Sequence, residues 1–92
     1  MNEPLPPGAA RRLIDAHRQA GRIKLSRHAR EELLADRLTL EDMKSVLRHG
    51  VVQPAEFENG SWRYRIRGRA ATDVVAFPSE FIMIVVTVWR ER

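Results

Sequence analysis

The segment Trp62-Arg63-Tyr64-Arg65-Ile66-Arg67 alternates apolar residues with arginines without a break. A strand sends successive side chains to opposite faces. Folded as a strand, the segment buries Trp62, Tyr64 and Ile66 on one side. It aims Arg63, Arg65 and Arg67 out of the other, roughly 6.5–7 Å apart. That interval is close to the spacing of phosphates along a nucleic-acid strand. Arginine suits such a partner, because its planar fork donates two parallel hydrogen bonds to one phosphate. The ladder points to polyanion binding and leaves open whether the polyanion is cut.

His28 is the second residue with chemistry to offer. Ser26 reads as the N-cap of a helix carrying Arg27-His28-Ala29-Arg30-Glu31-Glu32-Leu33-Leu34-Ala35. His28 then falls in the first turn, where the positive helix end favours a neutral ring able to act as a general base. A structural role fits the same pattern, with the ring packed beneath the sheet on a backbone carbonyl. Glu31 and Glu32 divide the same way, between acid–base work and favourable charge at a helix start. Thr87 and Trp89 interrupt an apolar strand on one face. Thr87 can donate to a phosphate and Trp89 can stack on a base; equally, they are the polar end of a strand and a core aromatic. His17 reads as part of a solvated helix face and His49 as a C-terminal capping residue. The three histidines share no metal-ligand spacing, so no metal is expected. No phosphate loop, nucleophile elbow or dinucleotide fingerprint is present, and no cofactor is expected.

One reaction needs only these parts. RNA is cleaved without metal when its own 2′-hydroxyl attacks the adjacent phosphate in line. The catalyst supplies a base, an acid and cations for the phosphorane-like transition state. His28 is the candidate for the proton, and Arg63, Arg65 and Arg67 are the candidates for the phosphate. Two other readings use the same residues: an RNA-binding module without catalysis, and a scaffold whose arginine face pairs with an acidic protein.

Composition bounds these readings. At 92 residues the chain is one domain. Its formal net charge of +4, carried by 14 Arg and only 2 Lys, favours a polyanionic partner. Arg-rich codon usage accounts equally well for the total, though not for the strict alternation at 63, 65 and 67. With no cysteine, disulfides and thiolate metal sites are excluded. No apolar run approaches a membrane span and the start lacks signal-peptide character, so a cytoplasmic protein without a membrane partner is expected.

The elements that must position the ladder follow from periodicity. Residues 1–7 are Pro-rich and expected to be disordered, leaving 8–92 as one α+β domain. Ala9, Ala10, Leu13, Ile14 and Ala16 form one helical stripe over about 8–20, stopped by Gly21. A short strand over 22–25 precedes the Ser26 helix. Thr39 caps a further helix that buries Leu40, Met43, Val46 and Leu47 and ends at His49-Gly50. Strands follow: 51–57, broken by Pro54 and so at an edge; 62–67, after an Asn59-Gly60 hairpin turn; 72–77, with a turn at 78–80; and 81–89, the most apolar and therefore central. The expected fold is N-terminal helices on one face of a four- to five-stranded, mostly antiparallel sheet, with the arginine ladder on the open face.

Leu25-Ser26-Arg27-His28-Ala29, Leu38-Thr39-Leu40-Glu41-Asp42, Trp62-Arg63-Tyr64-Arg65 and Val85-Val86-Thr87-Val88 together resemble a bacterial family known as DUF4258, a domain of unknown function. The resemblance covers roughly residues 23–89. It implies a fold similar to the RelE-like and barnase-like ribonucleases, with RNA on the open sheet face, and a place in a toxin–antitoxin pair. It implies RNA, ribosome-associated mRNA included, and a cognate antitoxin as partners. Carried over, the family's histidine falls on His28, its basic strand positions on Arg63 and Arg65, and its late-strand threonine on Thr87. Many relatives carry Arg four residues after the histidine, where Glu32 stands here. Arg30 or Arg37 would then take up phosphate binding, with Arg67, Arg69 and Trp89 completing the RNA contact. The helix over 8–20 lies outside the match and is a candidate surface for an antitoxin or a second copy of the chain.

Overall fold

The computed structural model describes residues 1–91. Three helices, α1 (Pro7–Gln19), α2 (Arg27–Ala35) and α3 (Leu40–His49), alternate with and precede six strands. The strands are β1 (Lys24–Leu25), β2 (Val51–Val52), β3 (Glu56–Glu58), β4 (Ser61–Arg67), β5 (Ala71–Ser79) and β6 (Ile82–Arg90). The sheet order is β1-β6-β5-β4-β2, with β3 pairing β4 beside β2. All pairs are antiparallel except β1 with β6. The α+β class stands as expected, while the short β1 and the separation of β2 from β3 raise the strand number to six. Among the described residues no helix is long and apolar enough to cross a membrane.

Local signals in the sequence account for most boundaries. Pro7 opens α1 at a position where its missing N–H costs nothing. Gly21 follows α1 with φ of 72°, in the left-handed region that favours glycine. Thr39 and Asp42 form a reciprocal capping box: the Asp42 N–H donates to Thr39 Oγ1 (3.0 Å) and the Thr39 N–H to Asp42 Oδ2 (2.8 Å). Asn59 and Gly60 both take positive φ, 49° and 80°, as a two-residue hairpin between β3 and β4 requires.

The core lies between the helices and one face of the sheet. Ala10 and Ile14 of α1, Ala29 and Leu33 of α2, and Met43, Val46 and Leu47 of α3 pack on Tyr64, Ile66, Val75, Met83, Val85 and Val88. α3 ends very close to β4. A Cβ on Gly50 would stand 2.6 Å from the Ile66 side chain, so only glycine allows this approach.

Four expectations are corrected. The Pro-rich start is not loose: Leu5 packs on the core, and its N–H donates to the Tyr64 hydroxyl (2.9 Å), which donates to Glu3 Oε2 (2.8 Å). A buried tyrosine needs partners for its polar tip, and residues 3–5 supply them; burial also pushes the Tyr64 hydroxyl up to about 12. His17 is wholly buried, with Nε2 2.9 Å from the Glu80 carbonyl and its ring against Phe77, because β5 and β6 fold back under α1. The central strand is β5, not β6; it is buried without interruption from Ala71 to Phe77. Its turn to β6 falls at 80–81, later than Pro78 suggests.

β5 also carries the least comfortable residue of the core. Asp73 sits on the helix side between Ile66 and Val88, fully buried, and among the described residues neither carboxyl oxygen has a hydrogen-bond partner. Burial alone pushes its carboxyl up to about 8. Above about pH 4 the unfolded chain ionises this group while the folded chain keeps it protonated, so stability falls as pH rises from about 4 to about 8 and then levels off. Asp73→Val, a β-branched replacement of similar size, is expected to raise the urea midpoint at every pH. The gain should widen between pH 4 and pH 8 to on the order of a few kcal/mol. A gain independent of pH would show that the carboxyl ionises freely in the folded protein.

Candidate nucleic-acid interface

Burial of Tyr64 and Ile66 against the helices turns Arg63, Arg65 and Arg67 to the opposite, open face of the sheet. Pairing then fixes their neighbours. Arg67 faces Thr72, and Thr72 faces Trp89; Arg65 faces Val74, and Val74 faces Thr87. Two rows thus cross the open face, each contributed by β4, β5 and β6. A groove of about 460 Å³ runs over the first row, bounded by Glu56 and Pro54 on the β2–β3 side and by Glu91 beyond β6.

The arginines do not stand free in this groove. Arg65 Nη2 lies 3.5 Å from Glu58 Oε1 and 3.6 Å from Glu56 Oε2, and its guanidinium carbon lies 5.7 Å from the Trp89 ring centre. Arg67 Nε lies 3.4 Å from Glu91 Oε1, which also accepts a 2.6 Å hydrogen bond from the Thr72 hydroxyl. Arg63 donates to Ser61 Oγ (3.3 Å); Glu56 stands opposite it in the β3–β4 register, but among the described residues no acid lies within ion-pair distance of it. Three carboxylates therefore face two guanidiniums. These pairs are partly exposed, and such pairs stabilise by about 0–1 kcal/mol each. A phosphate can displace them at small cost, but the groove is not an open cationic strip.

His28 is positioned by another device. Where β1 ends, the chain turns into α2 and runs on beside β6. The Ser26 N–H donates to the Val85 carbonyl (2.9 Å), and Ser26 Oγ donates to the Val86 carbonyl (2.8 Å) while accepting from the Ala29 N–H (3.0 Å). At the far end the Arg90 N–H donates to Asp36 Oδ2 (2.8 Å). Ser26 is thus both helix cap and strand-edge partner. The His28 side chain is 61% exposed, and its Nε2 lies 3.7 Å from Glu32 Oε1, one helical turn on. It is not packed beneath the sheet. Glu31 is engaged by Arg27 at 3.2 Å.

The residues singled out from the sequence are brought together only in part. Arg65, Arg67 and Trp89 share the groove, joined by Thr72, Glu56 and Glu91, which sequence reasoning passed over. Thr87 lies in the adjacent row. His28 follows β1, and β1 stands three strand spacings, roughly 14 Å, from β4. Arg30 is exposed on α2, and Arg37 holds a left-handed turn with φ of 54° between α2 and α3. Arg69 lies on the β4–β5 turn beside a separate hollow against α3. None of these last three lines the groove. Among the described residues no group of three or more His, Asp or Glu is placed to hold a metal ion. The strand alternation that reveals the arginines also applies to Glu56 and Glu58, which flank Phe57 in a hairpin with β4; that pattern was the available signal.

Comparison with known proteins returns no match to a family model, a curated protein or a solved structure.

Since the Ser26 hydroxyl both caps α2 and bonds the Val86 carbonyl of β6, Ser26→Ala, which removes both bonds, is expected to destabilise the fold by about 1–3 kcal/mol. Amide exchange should speed up first at Ala29. An unchanged melting temperature would show that the cap does not hold α2 against the strand.

Proposed function

We propose that the protein is a metal-independent endoribonuclease, with single-stranded or ribosome-associated RNA as substrate and an antitoxin protein as partner. The observation that supports this is the row Arg65–Val74–Thr87, which crosses the open face toward the edge where the exposed His28 opens α2. In this reading RNA runs across the strands, and a few consecutive nucleotides span the roughly 14 Å from β4 to the β1 edge. His28 takes the proton of a 2′-hydroxyl, whose oxygen attacks the adjacent phosphorus. The bond to the 5′ oxygen breaks, leaving a 2′,3′-cyclic phosphate, and the 5′ oxygen takes a proton from water at the exposed edge. Glu32, at 3.7 Å, holds the imidazole. The Thr87 hydroxyl, on β6 next to the β1 edge, donates to the reacting phosphate, and the guanidinium groups of β4 hold phosphates further along the same RNA strand. The toxin–antitoxin setting rests on the resemblance to DUF4258 alone.

A second reading, a non-catalytic RNA- or protein-binding module, is favoured by a different observation. The carboxylates of Glu56, Glu58 and Glu91 already face Arg65 and Arg67, and two strands separate these from the line of His28.

End-labelled RNA incubated with the protein in EDTA separates the two. The enzyme reading expects fragments ending in cyclic phosphate, with His28→Ala at least about a hundred-fold slower and unchanged in melting temperature. Salt-sensitive binding without product would establish the module instead. Full cleavage by His28→Ala would remove His28 from the mechanism.

A further inference from the structure

Thr72 and Arg67 face each other across β4 and β5; Thr72 donates a hydrogen bond to Glu91 Oε1, and Arg67 Nε lies 3.4 Å from the same oxygen in an ion pair. We infer that these two residues form a phosphate-binding subsite, and that Glu91 fills it in the free protein as an internal substitute for a phosphodiester. The inference rests on the reading of the groove as an RNA surface and adds its anchor point.

Thr72 is 2% exposed near the start of the central strand. A hydroxyl buried there must find an acceptor, and it finds an anionic one at 2.6 Å, a short charge-assisted bond. The Arg67 guanidinium adds its charge to the same oxygen, with Nε at 3.4 Å. A hydroxyl donor and a guanidinium from neighbouring strands, both close to one anionic oxygen, make an oxyanion cradle. A phosphodiester carries the same single negative charge as the carboxylate and offers a second free oxygen to the Arg67 fork. The exchange is therefore close to neutral in charge, with hydrogen bonds left over for the phosphate. Trp89, cross-strand to Thr72, provides a flat face beside the cradle for the attached base.

Glu91 can leave without unfolding anything. Its backbone is held separately, by its N–H donating to the Ala70 carbonyl at 2.8 Å, so only side-chain rotation is needed. Arg65, in the next row, is held in the same manner by Glu56 and Glu58. The groove thus presents its cations already saturated by carboxylates, and weak or non-phosphate anions gain nothing by entering.

The test is RNA affinity by fluorescence anisotropy, with a short labelled single-stranded oligonucleotide in EDTA. Glu91→Gln keeps an acceptor for Thr72 but drops the competing charge. It is expected to bind about five-fold more tightly, the equivalent of about 1 kcal/mol. Adding Thr72→Val to that variant should cancel the gain. Glu91→Asp, too short to reach Thr72 but still charged, should also tighten binding, and it serves if Glu91→Gln melts early. Affinity unchanged or weakened in both Glu91 variants, with Arg65→Glu still abolishing binding, would overturn the subsite while leaving the RNA surface intact. If no variant binds RNA, the reading of the groove fails. The cradle is then judged by the NMR signal of Arg67 Nε–H in Glu91→Gln titrated with inorganic phosphate: a saturable shift supports it and no shift rejects it.

Discussion

Tyr64 and Ile66 must face the helices, and that one requirement decides where every arginine of β4 points. Both side chains are fully buried, and a slip of one residue would exchange the core face for the solvent face along the whole strand. Burying three guanidiniums under α1 and α3 would cost far more than the fold can supply. The register is pinned at two places. The Asn59-Gly60 hairpin sets β4 against β3, and Gly50 lets α3 close on Ile66. The composition of the open face, with its rows through Thr72 and Val74, follows from that register.

The resulting surface is more balanced than its arginines suggest. The β3–β4 hairpin that orders the ladder also brings Glu56 and Glu58 to it, and Glu91 arrives from the end of β6. Each pair is weak because it is wet, so the carboxylates screen the arginines without locking them. A surface of this kind discriminates by multiplicity: one phosphate gains little over the carboxylate it displaces, while a chain of phosphates gains at each step. Arg63, opposite Glu56 but not in an ion pair with it among the described residues, is the natural place for a first contact.

Much of the framework was legible from local chemistry. Ser26, Thr39, Gly21 and Asn59-Gly60 act within a few residues of themselves, and each marks the boundary its chemistry implies. The alternation of β4 was readable for the same reason. What escaped sequence reading depends on distant partners. His17 looks solvated until Glu80 and Phe77 are folded against it, 63 and 60 residues away. Residues 3–5 look loose until the Tyr64 hydroxyl is seen to need them. The central place of β5 was hidden because Thr72 and Asp73 make it look more polar than β6. The candidate site was half legible: the arginines announce themselves by spacing, whereas the acids that face them are set by pairing, and the position of His28 by strand order.

The continuation of β1 into α2 along β6 has a consequence for the sheet as an assembly edge. Beyond Leu25, a helix occupies the flank of β6 where a further strand would otherwise pair. Ser26 uses the Val85 and Val86 carbonyls, and Asp36 uses the Arg90 amide. Hydrogen-bonding groups that would template a foreign strand are thereby spent within the chain. Beyond the two-residue β1, the flank of β6 is closed to strand addition, and a longer free edge lies on the far side, past β2 and β3, where Phe57 lies exposed beside Trp62.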